Sequence, residues 1–452
     1  MNTRMFLLGA IATVSVAVLA ASQDLQPPPA PQGQSEVALQ ITGEPGAPAR
    51  YAVPDFIALT NDPETATIAR TLAEVLWNDL NFEREFYLIP RDTYKTIPAA
   101  QSADNVPFDR WRELGADGLI IGTVQRTATG ITVEVRLFNV RTRQVAMARA
   151  YDGSLRNPRL IAHGVADEIH QQRGLRGVAR TKLTFSSDRD QERLSSVIGD
   201  RTVKEIYIAD YDGANAQRVT TSRNLNVFPT WSPDGRGIAY VTYQWGAPDI
   251  VVSMIYQGTR DRLTDGKSSN VLPVFSPDGT RICFSSTRDG NNELYVMNRD
   301  GSNVRRLTNH PAADITPTWS PTGNQIAFTS DRSGTPQIWI VDADGLNVRR
   351  LTYETYADRA TWSPAPFNEI AFSFRSGPGI DIKIMDLATR QSRQLTFGEG
   401  SNESPAYAPN GRHVAFASSR AGKYQIFTIG RDGRGLAQVT RVGANTTPDW
   451  SR

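Results

Sequence analysis

Short apolar runs recur at even spacing in the second half of the chain and predict β-strands. Three of them are Ile238-Ala-Tyr, Ile282-Cys-Phe and Ile326-Ala-Phe, and other apolar runs such as Leu294-Tyr-Val-Met lie between them. The Pro, Asp and Gly residues that separate the runs are typical of tight turns. The chain beyond Arg180 is therefore predicted to be all-β.

One phrase precedes these strands and recurs five times in full or altered form. The phrases are Pro229-Thr-Trp-Ser-Pro-Asp-Gly235, Pro273-Val-Phe-Ser-Pro-Asp-Gly279, Pro317-Thr-Trp-Ser-Pro-Thr-Gly323, Ala360-Thr-Trp-Ser-Pro364 and Pro405-Ala-Tyr-Ala-Pro-Asn-Gly411. They stand 43 to 45 residues apart. Four short strands in a repeat of that length are typical of a β-propeller blade, which can bury its faces only against its neighbours.

The first repeat lacks the phrase, and the end of the chain supplies it. Residues 182–220 contain only the later strands of a unit, whereas Pro448-Asp-Trp-Ser451 stands almost at the C-terminus. Ring closure removes the exposed strand edges that an open array would present. We therefore expect residues 181–452 to form an all-β six-bladed propeller closed by the C-terminal strand.

Residues 37–175 mix helical and strand patterns and predict a smaller α/β domain. Asp62-Pro63 opens a helix with Ile68, Leu72 and Leu76 on one face, because proline suits the first helical position. Residues 118–126 and 131–140 alternate as two strands around a turn, and residues 157–172 are predicted to form a closing helix.

The N-terminal residues carry export signals. Arg4 precedes an uncharged stretch from Met5 to Ser22, which predicts a secretory signal peptide at residues 1–21. The alternative is a retained membrane anchor, but the stretch is at the short limit for a span of roughly 20 residues. Residues 22–36 are rich in Pro and Gln and predict a flexible tail. After cleavage we expect no membrane-spanning segment.

Charge and cysteine content exclude several classes of function. The chain has 452 residues, and its 49 Lys and Arg nearly balance its 47 Asp and Glu, so no basic field exists to hold nucleic acid. The single cysteine, Cys283, excludes an intrachain disulfide and a cysteine metal cage. It occupies a strand position that other repeats give to Ala239 or Ala327, which favours a buried small residue over a nucleophile.

No pattern for catalysis is evident. The histidines are His163, His170, His310 and His413, and none has metal-ligand spacing. The chain contains no Gly-x-Ser-x-Gly elbow and no Gly-rich phosphate loop. A recurrent arginine follows the second strand of the repeats, at Arg189, Arg288, Arg332, Arg375 and Arg420, and is most simply a repeated ion-pairing or carbonyl-bonding residue. We expect neither catalytic nor metal-binding residues.

An Asn or Asp stands near the start of each predicted inner strand. These residues are Asn226, Asn270, Asp314, Asp358, Asn402 and Asn445. As the innermost strands line the channel of a propeller, we expect these side chains to ring one mouth, which is the candidate docking face. The local alternative is that each caps its own turn. Calcium in the channel is a further alternative, although two carboxylates among six positions are a weak basis for it.

The chain resembles the TolB family, the periplasmic propellers of the Tol-Pal envelope system. The export signal, the α/β domain and the repeats occur in the family's order, and Glu36-Val-Ala-Leu-Gln-Ile-Thr42 and Ala52-Val-Pro-Asp-Phe56 add to the likeness. The resemblance implies a periplasmic protein that docks the lipoprotein Pal and the inner-membrane protein TolA. It implies support of outer-membrane integrity and of invagination during cell division. The sequence departs from the family where the fourth phrase lacks Pro and Asp-Gly, and in the Pro-rich tail.

The resemblance also implies which residues meet each partner. Asn270, Val271, Leu272, Ile315 and Thr316 stand at positions similar to those the family uses for Pal. Together with the six Asn or Asp positions and their neighbours, the predicted Pal-docking residues are Asn226, Asn270, Val271, Leu272, Asp314, Ile315, Thr316, Asp358, Arg359, Asn402, Glu403 and Asn445. The predicted TolA-binding tail comprises Glu36, Val37, Ala38, Leu39, Gln40 and Ile41.

Two other classes of function remain open from the sequence. A propeller enzyme, such as a lyase or hydrolase, would use Asp314, Asp358 and Glu403, but no histidine can be placed beside them. A glycan-binding propeller would use exposed aromatic faces. The candidates are Trp231, Phe275, Trp319, Trp362, Tyr407 and Trp450, for which an interblade core is the favoured interpretation.

Overall fold

The computed structural model describes residues 41–43, 47–194 and 201–452. The predicted signal peptide, the Pro-rich tail and residues 36–40 of the predicted TolA segment lie outside the described residues. Ile41, the last residue of that segment, is buried in the core of the N-terminal domain. None of the helices in the described ranges is both long and apolar enough to cross a membrane.

The N-terminal domain packs helices against a mixed sheet. Its elements are β1 (Arg50–Ala52), β2 (Ile57–Ala58), α1 (Pro63–Glu83), β3 (Tyr87–Leu88), a 3₁₀ helix (Arg91–Thr96), α2 (Phe108–Glu113), β4 (Gly118–Arg126), β5 (Ile131–Asn139), β6 (Val145–Gly153) and α3 (Arg159–Gln172). The sheet order is β3-β1-β4-β5-β6, with β2 beside β4. β1 is parallel to β3 and β4, whereas β4, β5 and β6 are antiparallel.

Helix α1 begins where the sequence predicts it. The Asp62 carboxylate accepts a hydrogen bond from the Thr65 amide at 2.8 Å, and Pro63 occupies the first turn. This cap satisfies a backbone donor that has no partner inside the helix. Leu72, Leu76 and Leu80 are fully buried against the sheet.

The remaining strands build the propeller. Blade 1 and a small hairpin contain β7 (Lys182–Ser187), β8 (Arg193–Leu194), β9 (Arg201–Thr202), β10 (Glu205–Asp210) and β11 (Gln217–Arg218). Blades 2 and 3 contain β12 (Asn226–Trp231), β13 (Gly237–Trp245), β14 (Ala247–Met254), β15 (Thr259–Arg262), β16 (Asn270–Phe275), β17 (Arg281–Ser286), β18 (Glu293–Asn298) and β19 (Arg305–Arg306). Blades 4, 5 and 6 contain β20 (Asp314–Trp319), β21 (Gln325–Ser330), β22 (Gln337–Asp342), β23 (Arg349–Arg350), β24 (Ala357–Trp362), β25 (Glu369–Ser376), β26 (Gly379–Asp386), β27 (Ser392–Gln394), β28 (Asn402–Tyr407), β29 (His413–Ser418), β30 (Gln425–Gly430) and β31 (Ala437–Gln438).

The last strand, β32 (Asn445–Trp450), closes the ring. It pairs antiparallel with β7, so blade 1 has the order β11-β10-β7-β32. The Lys182 amide also donates to the Ser451 hydroxyl at 2.8 Å. The six-bladed propeller closed by the C-terminal strand is confirmed for the described part of the chain.

The phrase aromatics form the core between blades. Trp231, Phe275, Trp319 and Trp450 are each less than 10% exposed. The Trp319 indole donates to the Val274 carbonyl of the preceding blade at 3.3 Å. Tyr407 is also buried, whereas Trp362 is half-buried and donates to the Thr318 carbonyl at 3.2 Å. These rings join neighbouring blades, and their remaining exposed edges line the channel.

The channel has two different ends. Each inner strand, the one nearest the channel axis, starts at one end, which we call the mouth. It finishes at the other end, the turn end, where the Ser-Pro-Asp-Gly turns lead into the second strand. The N-terminal domain packs against the turn end, where Glu83 of α1 meets Asn410 and Arg412 of a blade 6 turn. The mouth lies on the opposite face.

Candidate docking site

The third residue of every inner strand has a left-handed backbone. The six residues are Phe228, Leu272, Thr316, Arg359, Ser404 and Thr447, with φ between 51° and 58°. At each of them the pairing with the second strand slips, as in a β-bulge. Residues other than glycine rarely adopt this conformation, and β-branched Thr316 and Thr447 are the most unusual cases.

These six residues, called the bulge ring below, line the cavity at the mouth. The cavity has a volume of about 150 Å³, and its walls continue through the prolines that follow five of the ring residues. Each strained backbone costs roughly 1–3 kcal/mol, so the surrounding blades must impose it. Such strain is concentrated at functional sites in proteins. The bulge ring is therefore the most specialised surface that the repeats build.

The structure corrects the expected position of the Asn and Asp side chains. Asn226, Asn270, Asp314, Asn402 and Asn445 are at most 1% exposed, so they do not line the mouth. Asn402, for example, donates to Asp381 at 2.8 Å and accepts from Arg420 at 2.9 Å. The prediction put these side chains at the mouth, but the side chain of the first residue in a strand can equally point into its own blade. Their role is to fasten the loops behind the bulge ring.

The recurrent arginines complete these fastenings. Arg332 donates to both carboxylate oxygens of Asp314, at 2.9 and 2.7 Å. The Arg288 guanidinium donates to Asn270 at 3.1 Å and stacks over Tyr295. Arg189 and Arg420 make the equivalent contacts with Asn445 and Asn402, so four of the five arginines have the expected structural role. Arg375 is the exception, because it is exposed and lies only near the Tyr356 ring, at 5.7 Å.

Blade 5 breaks the pattern. Ala357 occupies the position that Asn or Asp holds in the other inner strands, and Asp358 stands one residue later, so the expected set of six equivalent residues has five members. Asp358 is half-buried and accepts from the hydroxyls of Thr329 at 2.8 Å, Thr316 at 3.1 Å and Tyr356 at 3.2 Å. Burial, followed by the nearby Asp358 charge, raises the pKa of Tyr356 to about 12, so it remains a donor.

Arg359 reaches across the mouth. Its guanidinium carbon lies 5.3 Å from the centre of the Phe228 ring, within cation–π range. Phe228 belongs to blade 2 and Arg359 to blade 5, which face each other in a ring of six. The two side chains thus form a bar over the channel.

The remaining predicted mouth residues lie around this bar. Val271, Ile315 and Glu403 occupy the second position of their strands and are half-buried. Glu403 accepts from the Ser401 hydroxyl at 2.8 Å and the Tyr424 hydroxyl at 2.5 Å. Predicted Val271, Leu272, Ile315, Thr316, Asp358, Arg359 and Glu403 are therefore brought together at one surface.

Deeper in the channel lies one further carboxylate. Asp449 reaches the lumen and accepts from the Trp231 amide at 2.7 Å. Burial raises its pKa to about 6, despite the hydrogen bonds that favour the charged form. Below it, a second cavity of about 220 Å³ extends to Arg176 and Arg452 at the turn end.

The described residues show no arrangement for metal binding or nucleophilic catalysis at the mouth. They contain no group of three His, Cys, Asp or Glu side chains that could hold a metal ion. His163, His170 and His413 are buried in or against the N-terminal domain, and burial also raises the pKa of the Cys283 thiol. Asp358 and Glu403 have no imidazole beside them.

Sequence reasoning missed Phe228, Ser404 and Thr447 of the bulge ring. Each of them directly precedes a proline, as do Leu272 and Thr316, and this pattern predicts an extended backbone where the structure has a left-handed one. A residue before proline is pushed out of the right-handed helical region. The repeat therefore marked the position, although the sign of φ came only from the structure.

Comparisons with known proteins agree over both domains. A family model described as the TolB beta propeller domain matches residues 171–452, and one described as the TolB amino-terminal domain matches residues 37–146. The crystal structure of TolB from Acinetobacter baumannii is similar with a TM-score of 0.75 and 27% identity, covering 90% of this chain and 96% of that one.

Curated relatives are similar over a shorter length. The Tol-Pal system protein TolB of Desulfosudis oleivorans is 32% identical over 205 residues, covering 45% of this chain and 44% of the relative. That of a Ruegeria species is 34% identical over 216 residues, covering 47% of each. The chain thus matches about half the length of these relatives.

Proposed function

This chain belongs to the TolB family, and we propose that it docks Pal at the channel mouth and TolA through its N-terminal tail. In this proposal it works in the periplasm as a connecting protein of the Tol-Pal system. It supports outer-membrane integrity and envelope invagination during cell division, and it performs no chemistry of its own.

The bulge ring carries the proposal for Pal. Six residues have left-handed backbone at the same position of their inner strands, each costing roughly 1–3 kcal/mol, and all six line one cavity. The strain gives a rigid, concave rim that exposes apolar Leu272 beside Thr316 and Arg359. A preformed surface lowers the entropy lost on docking.

The surface is suited to a protein more than to a small substrate. The mouth cavity is only about 150 Å³, smaller than the 300–1,000 Å³ or so of typical ligand pockets. An inserted side chain or loop tip fits this volume, while the surrounding loops supply the rest of a contact area. This reasoning favours docking over the enzyme and glycan alternatives.

The proposal for TolA rests on the tail. Residues 22–36 have the composition of an extended, solvated segment. Ile41, the residue that follows residues 36–40, is buried in the N-terminal core. An extended segment held at one end can add to a partner's sheet as an extra strand.

Titration of the mature protein with the periplasmic domain of its cognate Pal tests the docking face. Leu272→Arg is expected to weaken binding at least tenfold, because it places an uncompensated charge in the centre of the interface. Leu346→Arg is the matched control, since Leu346 is 63% exposed in a turn of blade 4 at the opposite end. Equal binding by both variants would contradict docking at the mouth.

The tail is tested separately with TolA. Deleting residues 22–40 is expected to abolish TolA binding, and a variant in which residues 22–35 are shuffled but 36–41 retained is expected to keep it. TolA binding by the deletion variant would refute the proposed segment. If neither partner binds the unaltered protein, the enzyme and glycan alternatives regain priority.

We also propose that docking requires no cofactor. The alternative is calcium in the channel near Asp449, and a calcium titration followed by thermal unfolding distinguishes the two. An unchanged Tm supports cofactor-free docking. A Tm that rises with calcium would show cation binding.

A further inference from the structure

Arg359 differs from the recurrent arginines of the mouth face because it lines the cavity, which Arg375, also without a hydrogen-bonded acceptor among the described residues, does not. Arg288, Arg332 and Arg420 each donate to a buried Asn or Asp of their own blade. Arg359 donates no side-chain hydrogen bond to any of the described residues, and its nearest carboxylate, Asp358, lies at 3.7 Å. Its side chain is only 29% exposed. The guanidinium is thus partly removed from water without receiving acceptors in exchange.

The neighbouring acids already have other donors. The two Asp358 oxygens already accept from the hydroxyls of Thr316, Thr329 and Tyr356 and from the Arg359 amide. Glu403 is engaged by Ser401 and Tyr424. Arg359 lines the cavity with its guanidinium over the Phe228 ring, and none of its five N–H donors makes a hydrogen bond to a described residue.

The position of Arg359 in the bulge ring is also singular. Its equivalents are Phe228, Leu272, Thr316, Ser404 and Thr447, none of which is charged. The guanidinium therefore provides the one positive charge that the bulge ring sets over the cavity. A planar guanidinium pairs with a carboxylate through two parallel hydrogen bonds.

We propose that Arg359 is the specificity-determining residue of the mouth, anchoring a carboxylate side chain that the docked protein inserts into the cavity. The inference rests on the proposed docking of Pal and states what that partner must contribute. In the free protein the guanidinium stays on the Phe228 ring. On docking it turns to the inserted Asp or Glu and keeps the ring as one wall.

The surrounding acids make this anchor selective. Asp358 and Glu403 place negative charge beside Arg359 at the mouth, so an acidic surface that approaches without a close contact to Arg359 is opposed by these two carboxylates. Only a carboxylate within hydrogen-bond reach of Arg359 offsets the free-energy cost of removing the guanidinium from water. Selection by one aligned contact against an unfavourable background is a common way to gain specificity.

The experiment compares Pal affinities of the unaltered mature protein, Arg359→Gln, Arg359→Lys and Arg390→Gln. Arg390 is the matched control because it is an exposed arginine in the same blade with φ 61°, on a turn at the opposite end. We expect a ~30-fold or larger loss for Arg359→Gln, mainly in the dissociation rate. Arg359→Lys should recover part of the affinity but lack the paired hydrogen bonds, and Arg390→Gln should bind normally.

A double-mutant cycle then identifies the inserted group. Each Asp and Glu of Pal is changed to its amide and titrated against the unaltered protein and Arg359→Gln. The proposal requires one Pal carboxylate whose loss matters only when Arg359 is present. Additive effects at every acidic position of Pal would overturn it.

The outcomes separate the two proposals. If Pal binds the unaltered protein, Leu272→Arg abolishes that binding and Arg359→Gln does not weaken it, docking at the mouth stands and the Arg359 inference is wrong. If the unaltered protein does not bind Pal, the docking proposal fails and the inference fails with it. Thermal unfolding of each variant verifies that it is folded.

Discussion

The mouth and the turn end of the channel are built by the same six repeats but hold their charged groups differently. At the mouth, strained backbone exposes Arg359 to the cavity without a hydrogen-bonded acceptor. At the turn end, Glu83 is buried and accepts from the Val178 amide at 2.7 Å, from Asn410 at 3.0 Å and from Arg412. At the mouth, the donors of Arg359 remain open to a partner. At the turn end, the acceptors of Glu83 are already used in joining the two domains.

The turn end is a dense network of buried polar groups. Asp79 of α1 lies 2.8 Å from the His163 imidazole and accepts from the Tyr211 hydroxyl of blade 1 at 2.7 Å. The His413 ring stacks on Phe82 and lies 3.2 Å from its carbonyl oxygen. Hydrogen-bonded networks of this kind restrict the groups that they join, even though the His163 Nε2 atom is buried without a hydrogen-bond partner among the described residues. The two ends therefore differ in their contacts: buried polar groups join two domains at the turn end, whereas strained backbone lines an open cavity at the mouth.

The largest expected effect concerns the buried pair of Glu83 and Arg412. Glu83→Ala should lower the free energy of unfolding by about 3–5 kcal/mol, because it leaves a buried guanidinium without its main partner. Glu85→Ala is the control, since Glu85 contacts the same arginine at 3.1 Å but is more exposed. Its cost should be about 1 kcal/mol or less.

Calorimetry of both variants measures the difference. If both variants lose the same free energy of unfolding, the buried carboxylate of Glu83 stabilises the protein no more than the more exposed carboxylate of Glu85. That result would remove the contrast between the two ends of the channel.

The next effect is a dependence on pH at the same joint. Burial lowers the pKa of His413 to about 3, with Arg412 and Arg84 opposing its charge and Asp432 favouring it. Between about pH 6.5 and pH 3 the unfolded chain binds a proton that the folded protein excludes, so stability due to neutral His413 is lost as the pH falls. Glu83 acts in the opposite direction, because burial raises its pKa to about 7 and favours folding at lower pH.

Comparison with His413→Gln isolates the histidine. Relative to this variant, the unaltered protein should lose about 2 kcal/mol of stability between pH 7 and pH 4.5. Urea unfolding at the two pH values gives the free energies. Parallel changes in both proteins would show that His413 is not responsible.

The smallest effect concerns strain at the mouth. Ser404 has φ 56°. Its backbone amide donates to the Ser373 hydroxyl at 3.2 Å, a hydrogen bond that does not involve the Ser404 side chain. Ser404→Gly keeps that amide and should stabilise the protein by about 0.5 kcal/mol, because glycine adopts this backbone without a steric penalty. Ser333→Gly, at an exposed serine of ordinary backbone, should instead cost about 0.5–1 kcal/mol.

Thermal unfolding of the two serine variants provides the measurement. A loss of stability in Ser404→Gly as large as that in Ser333→Gly would mean that the bulge ring stores no strain. The argument for a specialised mouth would then lose its energetic support.

The positions of the site residues were less predictable than the repeats. Leu272, Thr316 and Arg359 were placed at the mouth from the sequence, and the structure finds them in the bulge ring. For the Asn and Asp residues the sequence left a docking ring and a local role both open, and the buried positions agree with the local role. The sequence could not decide between them, because the direction of a side chain depends on the twist and register of its strand. Phe228 was missed for a different reason, since its contact with Arg359 joins opposite blades.

The sequence by itself determined the blades, the closing strand and the family. Each blade is a local unit whose turns and alternating apolar positions are written in one repeat, and the displaced Pro448-Asp-Trp-Ser451 phrase showed how the ring closes. Only the tertiary structure decided which polar groups have hydrogen-bond partners. Closing the ring brings Arg359 over Phe228 and leaves its donors open, while packing of the N-terminal domain buries Glu83 with every partner it needs.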